Sequence, residues 1–149
     1  MKNLSEKWDR RYLELAKYVS EWSKDPRAKV GAVLLDERTW PIALGYNGFP
    51  SGVADDATKL ADADIKNEMV VHAEQNVLLC AGARARDGTL FVFGKPVCSR
   101  CAVLIIQAGI GRVVAARPEP DKYRDSNSHS SGAISVRMFE EAGIEFSPL

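Results

Sequence analysis

Histidine and cysteine are scarce in this sequence, neither sign of charge prevails, and no long apolar run is present. Each shortage excludes something. Three cysteines are too few, and odd in number, for a disulfide framework, and they suit a reducing compartment. With 20 basic and 20 acidic side chains the formal net charge is zero, which leaves no electrostatic footprint for a long polyanion. No stretch reaches the roughly 18 apolar residues of a membrane-spanning helix. The start, Met1-Lys2-Asn3-Leu4-Ser5-Glu6-Lys7-Trp8, is too charged for a secretory leader. A cytoplasmic protein with a small-molecule partner is expected. Internal repeats and low-complexity tracts are also missing.

What is present suits one domain over 1–149, since 149 residues at 46% apolar content can bury a sizeable core. Trp8, Tyr12, Leu15, Val19 and Trp22 recur at helical spacing and predict a core-facing helix over 5–22, ended by Asp25-Pro26. Two apolar runs, 29–35 and 40–46, read as a hairpin. The second empties into Gly45-Tyr46-Asn47-Gly48-Phe49-Pro50-Ser51-Gly52, a shaped loop in which Asn47 offers a donor and an acceptor to a sugar hydroxyl. Residues 53–67 read as a charged surface connection, either partly helical or mobile. A helix is expected over 68–81, with Val70, Val71, Val77, Leu78 and Cys80 in the core, then a strand at 89–93 and a helix at 98–108. A strand at 112–116, a polar loop at 118–132 with an exposed His129, a helix at 133–142 and a last short strand at 144–146 complete the chain. Strands alternating with helices in this order predict a three-layer α/β/α domain on one sheet.

The scarce residues are not scattered. Val71-His72-Ala73-Glu74-Gln75-Asn76 and Lys95-Pro96-Val97-Cys98-Ser99-Arg100-Cys101-Ala102 hold one of the two histidines and two of the three cysteines. Three ligands, His72, Cys98 and Cys101, leave tetrahedral Zn²⁺ one position for water. Two thiolates and a neutral imidazole make such a unit formally neutral, yet electrophilic enough to bring the pKa of water to about 7. Glu74, two places after His72, suits a proton-transferring base better than a ligand. A helix from Cys98 sets both sulfurs on one side, and a helix N-terminus favours thiolate. The alternative reading is two buried thiols with a stray surface histidine. Cys80 is left over and is expected to be a small core residue.

His-x-Glu followed by Pro-Cys-x-x-Cys is the signature of zinc deaminases that act on nucleobases. Here the proline, Pro96, stands one place early and Val97 precedes Cys98, so the helix start is expected to shift. Over nearly the whole chain the sequence resembles the deoxycytidylate (dCMP) deaminases of the cytidine deaminase superfamily. The likeness runs through Trp8-Asp9, Asp25-Pro26, Val30-Gly31-Ala32-Val33, the segment from Gly45 to Gly52, His72 to Asn76, Cys98 to Cys101, Leu104 to Ile110, Asp121-Lys122-Tyr123 and Glu141 to Ile144.

The resemblance implies a five-stranded mixed sheet and one zinc per subunit on His72, Cys98 and Cys101. It implies water addition at C4 of cytosine, with Glu74 moving protons to N3 and to the departing ammonia. It sets the backbone N–H of Ala73 on the pyrimidine O2 and Asn47 at the sugar; Ser23, Lys24 and Tyr123 are further candidate substrate contacts, Lys24 reading otherwise as a solvated surface lysine. It also implies dCTP or dTTP effectors with Mg²⁺ at a loop of Gly45, Tyr46, Asn47 and Gly48, and a homo-oligomer built from dimers, up to a hexamer. Trp22 stands where the family has an arginine near the substrate phosphate, and the segment around Tyr123 and Arg124 departs from the family pattern. An indole cannot fork onto a phosphate as a guanidinium does. A nucleoside, a modified pyrimidine or another aminated heterocycle without the 5′-phosphate is therefore the alternative substrate. An editing deaminase for polynucleotides is disfavoured by the balanced charge.

Overall fold

A computed structural model describes residues 4–118 and 127–149, with side chains described for 4–118 and 131–149. Its strands are β1 (Gly31–Leu35), β2 (Pro41–Tyr46), β3 (Thr89–Phe93), β4 (Arg112–Ala115) and β5 (Glu145–Pro148). The helices are α1 (Glu6–Ser20), α2 (Ala57–Ala61), α3 (Ala63–Met69), α4 (Ala73–Ala81), α5 (Ser99–Gln107) and α6 (Asn127–Glu141). The strands form one sheet in the order β2-β1-β3-β4-β5, antiparallel across β2/β1 and β1/β3 and parallel across β3/β4 and β4/β5. The predicted mixed five-stranded α/β architecture is present. No helix among the described residues is long and apolar enough to cross a membrane.

Side chains along a strand alternate between faces, and the core divides accordingly. Ala32 and Leu34 of β1, Leu90 and Val92 of β3, and Val113 and Ala115 of β4 enter one cluster with Val77, Cys101, Ile105 and Phe139 from α4, α5 and α6. The intervening Val33, Leu35, Phe91 and Val114 enter a second cluster with Ala16 of α1. The metal-ligand candidates belong to the first layer. Arg112, buried at the start of β4, holds Asp9 of α1 through two hydrogen bonds of 2.8 and 2.7 Å, tying the second layer to the beginning of that strand.

Several expectations change or sharpen. The face of α1 that turns inward is Ala16, Val19 and Ser20, while Trp8 and Trp22 remain 44% and 47% exposed. Small residues face the sheet there because the backbones are close: a Cβ on Gly31 would lie 2.0 Å from the Ala16 carbonyl oxygen. The helix expected over 68–81 is two helices. Val70 leaves the helical region, and Val71 instead exchanges backbone hydrogen bonds of 2.7 and 3.1 Å with Gly48.

The connection 53–67 folds into α2 and most of α3, each begun by an aspartate, Asp56 or Asp62, that accepts from backbone N–H groups of the first turn. Cys80 is exposed, because α4 buries only Ala73, Glu74 and Val77 and turns its last residues outward. Helix α6 also begins at Asn127, six residues ahead of expectation. Tyr123 and Arg124 lie outside the described residues, as does the side chain of His129.

Substituting Gly31→Ala is expected to cost about 3 kcal/mol, because backbone and not a flexible side chain must move to admit the methyl group. Urea unfolding reads this as a lower midpoint at unchanged slope. An unchanged midpoint would show that α1 does not press on β1 in this way.

Candidate functional site

Two helix N-termini converge to make the site. His72 is the N-cap of α4 and Cys98 the N-cap of α5, with Cys101 in the first turn of α5. The Nδ1 of His72 lies 3.2 Å from the Cys101 Sγ and 3.5 Å from the Cys98 Sγ. A zinc ion at about 2.0–2.1 Å from nitrogen and 2.3 Å from sulfur spaces tetrahedral ligands roughly 3.5 Å apart, so the three donors fit that metal. They form the only group of three or more metal-binding side chains brought together among the described residues, and Glu74 is not a fourth member. One corner of a tetrahedron is therefore left for a non-protein ligand.

Local hydrogen bonds hold the two termini. Gln75 Oε1 accepts from the His72 backbone N–H at 2.8 Å, and Asn76 Nδ2 donates to the Tyr46 carbonyl, binding α4 to the end of β2. Val97, where the signature has proline, is buried in the main core and anchors the approach to α5 by packing. Ser131 of α6 accepts from the Ser99 backbone N–H at 2.6 Å, satisfying a donor at the start of α5 that has no intrahelical partner.

The charges of these side chains favour a cation. The Cys98 thiol is held far below its usual range, at about 4, first by its hydrogen bond with Cys101 and then by His72. Cys101 is pushed up, first by that same bond to its anionic neighbour and then by burial. Two adjacent thiolates repel each other unless a positive charge lies between them, and a divalent metal supplies it. His72 is raised, chiefly by its bond with Cys98. Glu74, only 4% exposed, is also raised, mainly because burial disfavours its charge. A carboxyl shifted in that direction is better matched to gaining and losing a proton near neutral pH.

These groups open into a cavity of about 150 Å³. Besides His72, Ala73, Glu74 and Cys98, its walls include Asn47, Asp25, Lys66, Asn67 and Lys95. Ala73 is the first residue of α4, so its N–H has no intrahelical carbonyl partner. Asn47 lines the cavity but spends its amide on the wall: Oδ1 accepts from the Val30 N–H and Nδ2 donates to the Ala28 carbonyl, both at 2.8 Å. Ser23 is buried beside it, its hydroxyl donating to the Asn47 carbonyl. Lys24 points elsewhere, into an ion pair of 2.7 Å with Asp55. Gly45 and Tyr46 end β2, and Gly48 faces Val71.

Lys66, Asp25 and Lys95 were missed in the sequence reading. Lys66 and Asp25 form a buried ion pair of 3.0 Å in the cavity wall, 8% and 4% exposed. They are 41 positions apart, and only the unremarkable Asp25-Pro26 pair hinted at one partner. Burial pushes the Asp25 carboxyl up, but N–H donors from Arg27 and Ala28 together with Lys66 outweigh it and hold the group below its ordinary range.

The chain matches, over residues 6–117, the family described as the cytidine and deoxycytidylate deaminase zinc-binding region. It is 36% identical over 141 residues to a deaminase of Aliivibrio fischeri encoded in the luxG 3′ region, covering 93% of this chain and 91% of that one. It is 32% identical over 144 residues to the deoxycytidylate deaminase of Homo sapiens, covering 93% and 78%. Among solved structures, the apo dCMP deaminase of the cyanophage S-TIM5 superposes with a TM-score of 0.73 at 26% identity, covering 98% of this chain and 100% of that one.

Removing Lys66 alone, as Lys66→Met, leaves the buried Asp25 charge uncompensated and is expected to cost about 3–5 kcal/mol at pH 7. The double variant Asp25→Asn with Lys66→Met should lose less than Lys66→Met alone, because no charge is stranded. The folded-state acidity of Asp25 is stronger than that of the unfolded chain. Its stabilisation is thus full above about pH 4 and is lost as pH falls through the lowered folded value. Denaturant titrations of the three proteins from pH 3 to pH 8 check this, and strictly additive losses would contradict it.

Proposed function

Because the chain belongs to the cytidine and deoxycytidylate deaminase family, we propose that it hydrolyses the 4-amino group of a cytosine deoxynucleotide, converting dCMP and water to dUMP and ammonia. One observation carries this reading: His72, Cys98 and Cys101 meet at one point, and the buried Glu74 faces the same cavity. Bound by those three side chains, zinc supplies Lewis acidity that makes water nucleophilic near neutral pH.

The chain's own residues do the rest. Glu74 accepts a proton from the attacking water and passes it to N3 of the ring, then takes the proton of the hydroxyl now on C4 and delivers it to the amine as the C4–N4 bond breaks. Its burial favours the protonated state that this relay passes through. The Ala73 N–H, at the positive end of α4, receives the pyrimidine O2. Asn47 keeps a second Nδ2 proton for the sugar while its other bonds hold the wall, and Ser23 fixes the Asn47 backbone from behind. Tyr123 remains a substrate-side candidate from the resemblance.

The finer parts of the reading have separate supports. Homo-oligomer assembly is supported by an apolar groove between α4 and α5, lined by Val71, Leu78, Leu79, Leu104 and Ala108, in which Leu79 is 78% exposed. A second copy of the chain is the occupant this reading assigns to it. A dCTP or dTTP effector with Mg²⁺ would meet the segment Gly45 to Gly48, on the strength of the resemblance. A cytoplasmic setting fits two reduced thiols acting as ligands. A second substrate reading, an aminated pyrimidine without the phosphate, is favoured by Trp22 in place of the family arginine.

Ammonia release measured over dCMP, deoxycytidine, dCTP and modified cytosines decides between the substrates. The expected result is the highest kcat/KM for dCMP, and preference for an unphosphorylated compound would overturn the nucleotide reading. Glu74→Gln should keep one zinc per chain while kcat falls by about 10² to 10⁴-fold. Undiminished turnover in that variant would remove Glu74 from the proton path.

A further inference from the structure

A nucleotide substrate brings a dianionic phosphate, which must meet positive charge at the open end of the cavity, opposite the reacting carbon. The cations nearest the site are not equally free to do this. Trp22 cannot stand in for the arginine it replaces, since its ring meets Tyr18 and Tyr46 edge-on, with centroids 5.8 and 6.0 Å away, and it does not line the cavity. Lys24 lies against Asp55 at the surface and does not line the cavity, and Lys66 is buried against Asp25. Lys95 differs from both. It lines the cavity, is exposed, and has no carboxylate within 4.0 Å among the described residues.

The backbone under Lys95 is fixed on both sides. Gly94 has φ of +120°, and a Cβ there would lie 2.3 Å from the Lys29 carbonyl, so β3 ends pressed against the chain entering β1. Pro96 restricts Lys95 to an extended backbone, and Val97 is buried. The same short connection then delivers Cys98 to the metal-ligand group, so one constrained loop carries both Lys95 and a metal-ligand candidate. The cavity wall thus runs from the buried Glu74 to an exposed lysine, the direction in which a nucleotide bound base-first presents its phosphate.

We propose that Lys95 receives the 5′-phosphate of the substrate and sets the preference for nucleotide over nucleoside, an inference that rests on the nucleotide reading above. A lysine serves as a point charge for phosphate where the arginine fork is missing. Lys95→Met is expected to lower the ratio of kcat/KM for dCMP over deoxycytidine by about 10- to 100-fold, the range for one hydrogen bond to a charged group. The loss should appear in KM, and Lys95→Arg should retain most of the preference. Calorimetric binding of dUMP and deoxyuridine to the zinc-loaded proteins should show the same selective loss without turnover. A wild type that prefers dCMP, with Lys95→Met leaving both ratios unchanged, overturns the role of Lys95 alone. A wild type that prefers deoxycytidine and binds dUMP no better than deoxyuridine overturns the nucleotide reading, and the role of Lys95 with it.

Discussion

Two thiols and an imidazole held within hydrogen-bonding distance are an electrostatic problem before they are a site. Cys98 gives up its proton readily, and in doing so makes it harder for Cys101 to lose one. A divalent cation removes the conflict by letting both sulfurs be anionic at once, and metal binding here must release protons. The fold is arranged to create this conflict and hold it in place. Cys98 and Cys101 open α5, His72 opens α4, and both helices lie on the same face of the sheet. Neither helix could turn without unseating Val77, Cys101 or Ile105 from the main core.

Around that point the cavity divides into a reacting end and a wall. The wall is built from the turn after α1 and from α3, segments far apart in the chain that Asp25, Lys66, Ser23 and Asn47 fasten together. Asn47 accepts from Val30, just ahead of β1, and donates to Ala28 before it, so its position is determined twice. Such redundancy keeps polar groups at fixed points of a small cavity, which is what orientation of a substrate requires.

Strand alternation and ligand spacing were readable in the sequence because both are local. The runs of β1 and β3 carry apolar side chains on both faces, as a sheet covered on both sides demands, and His72, Glu74, Cys98 and Cys101 announce themselves by interval alone. Long-range contacts were not readable. Val70 and Val71 look like helix core, yet the Val71 backbone pairs with Gly48 and breaks the helix so that His72 can cap the next one. Trp8 and Trp22 fit the helical period of α1, but the approach of Gly31 selects small residues for the inner face. Lys66 carries no local signal, since its meaning depends on a carboxylate 41 residues away.

X-ray absorption at the zinc edge of the purified, zinc-loaded protein tests the central claim most directly. The account predicts two sulfurs at about 2.3 Å and two lighter atoms at about 2.0–2.1 Å, one of them from a single imidazole and the other from exchangeable solvent. A first shell with a second imidazole, with more than two sulfurs, or with a fourth ligand that does not exchange would contradict it.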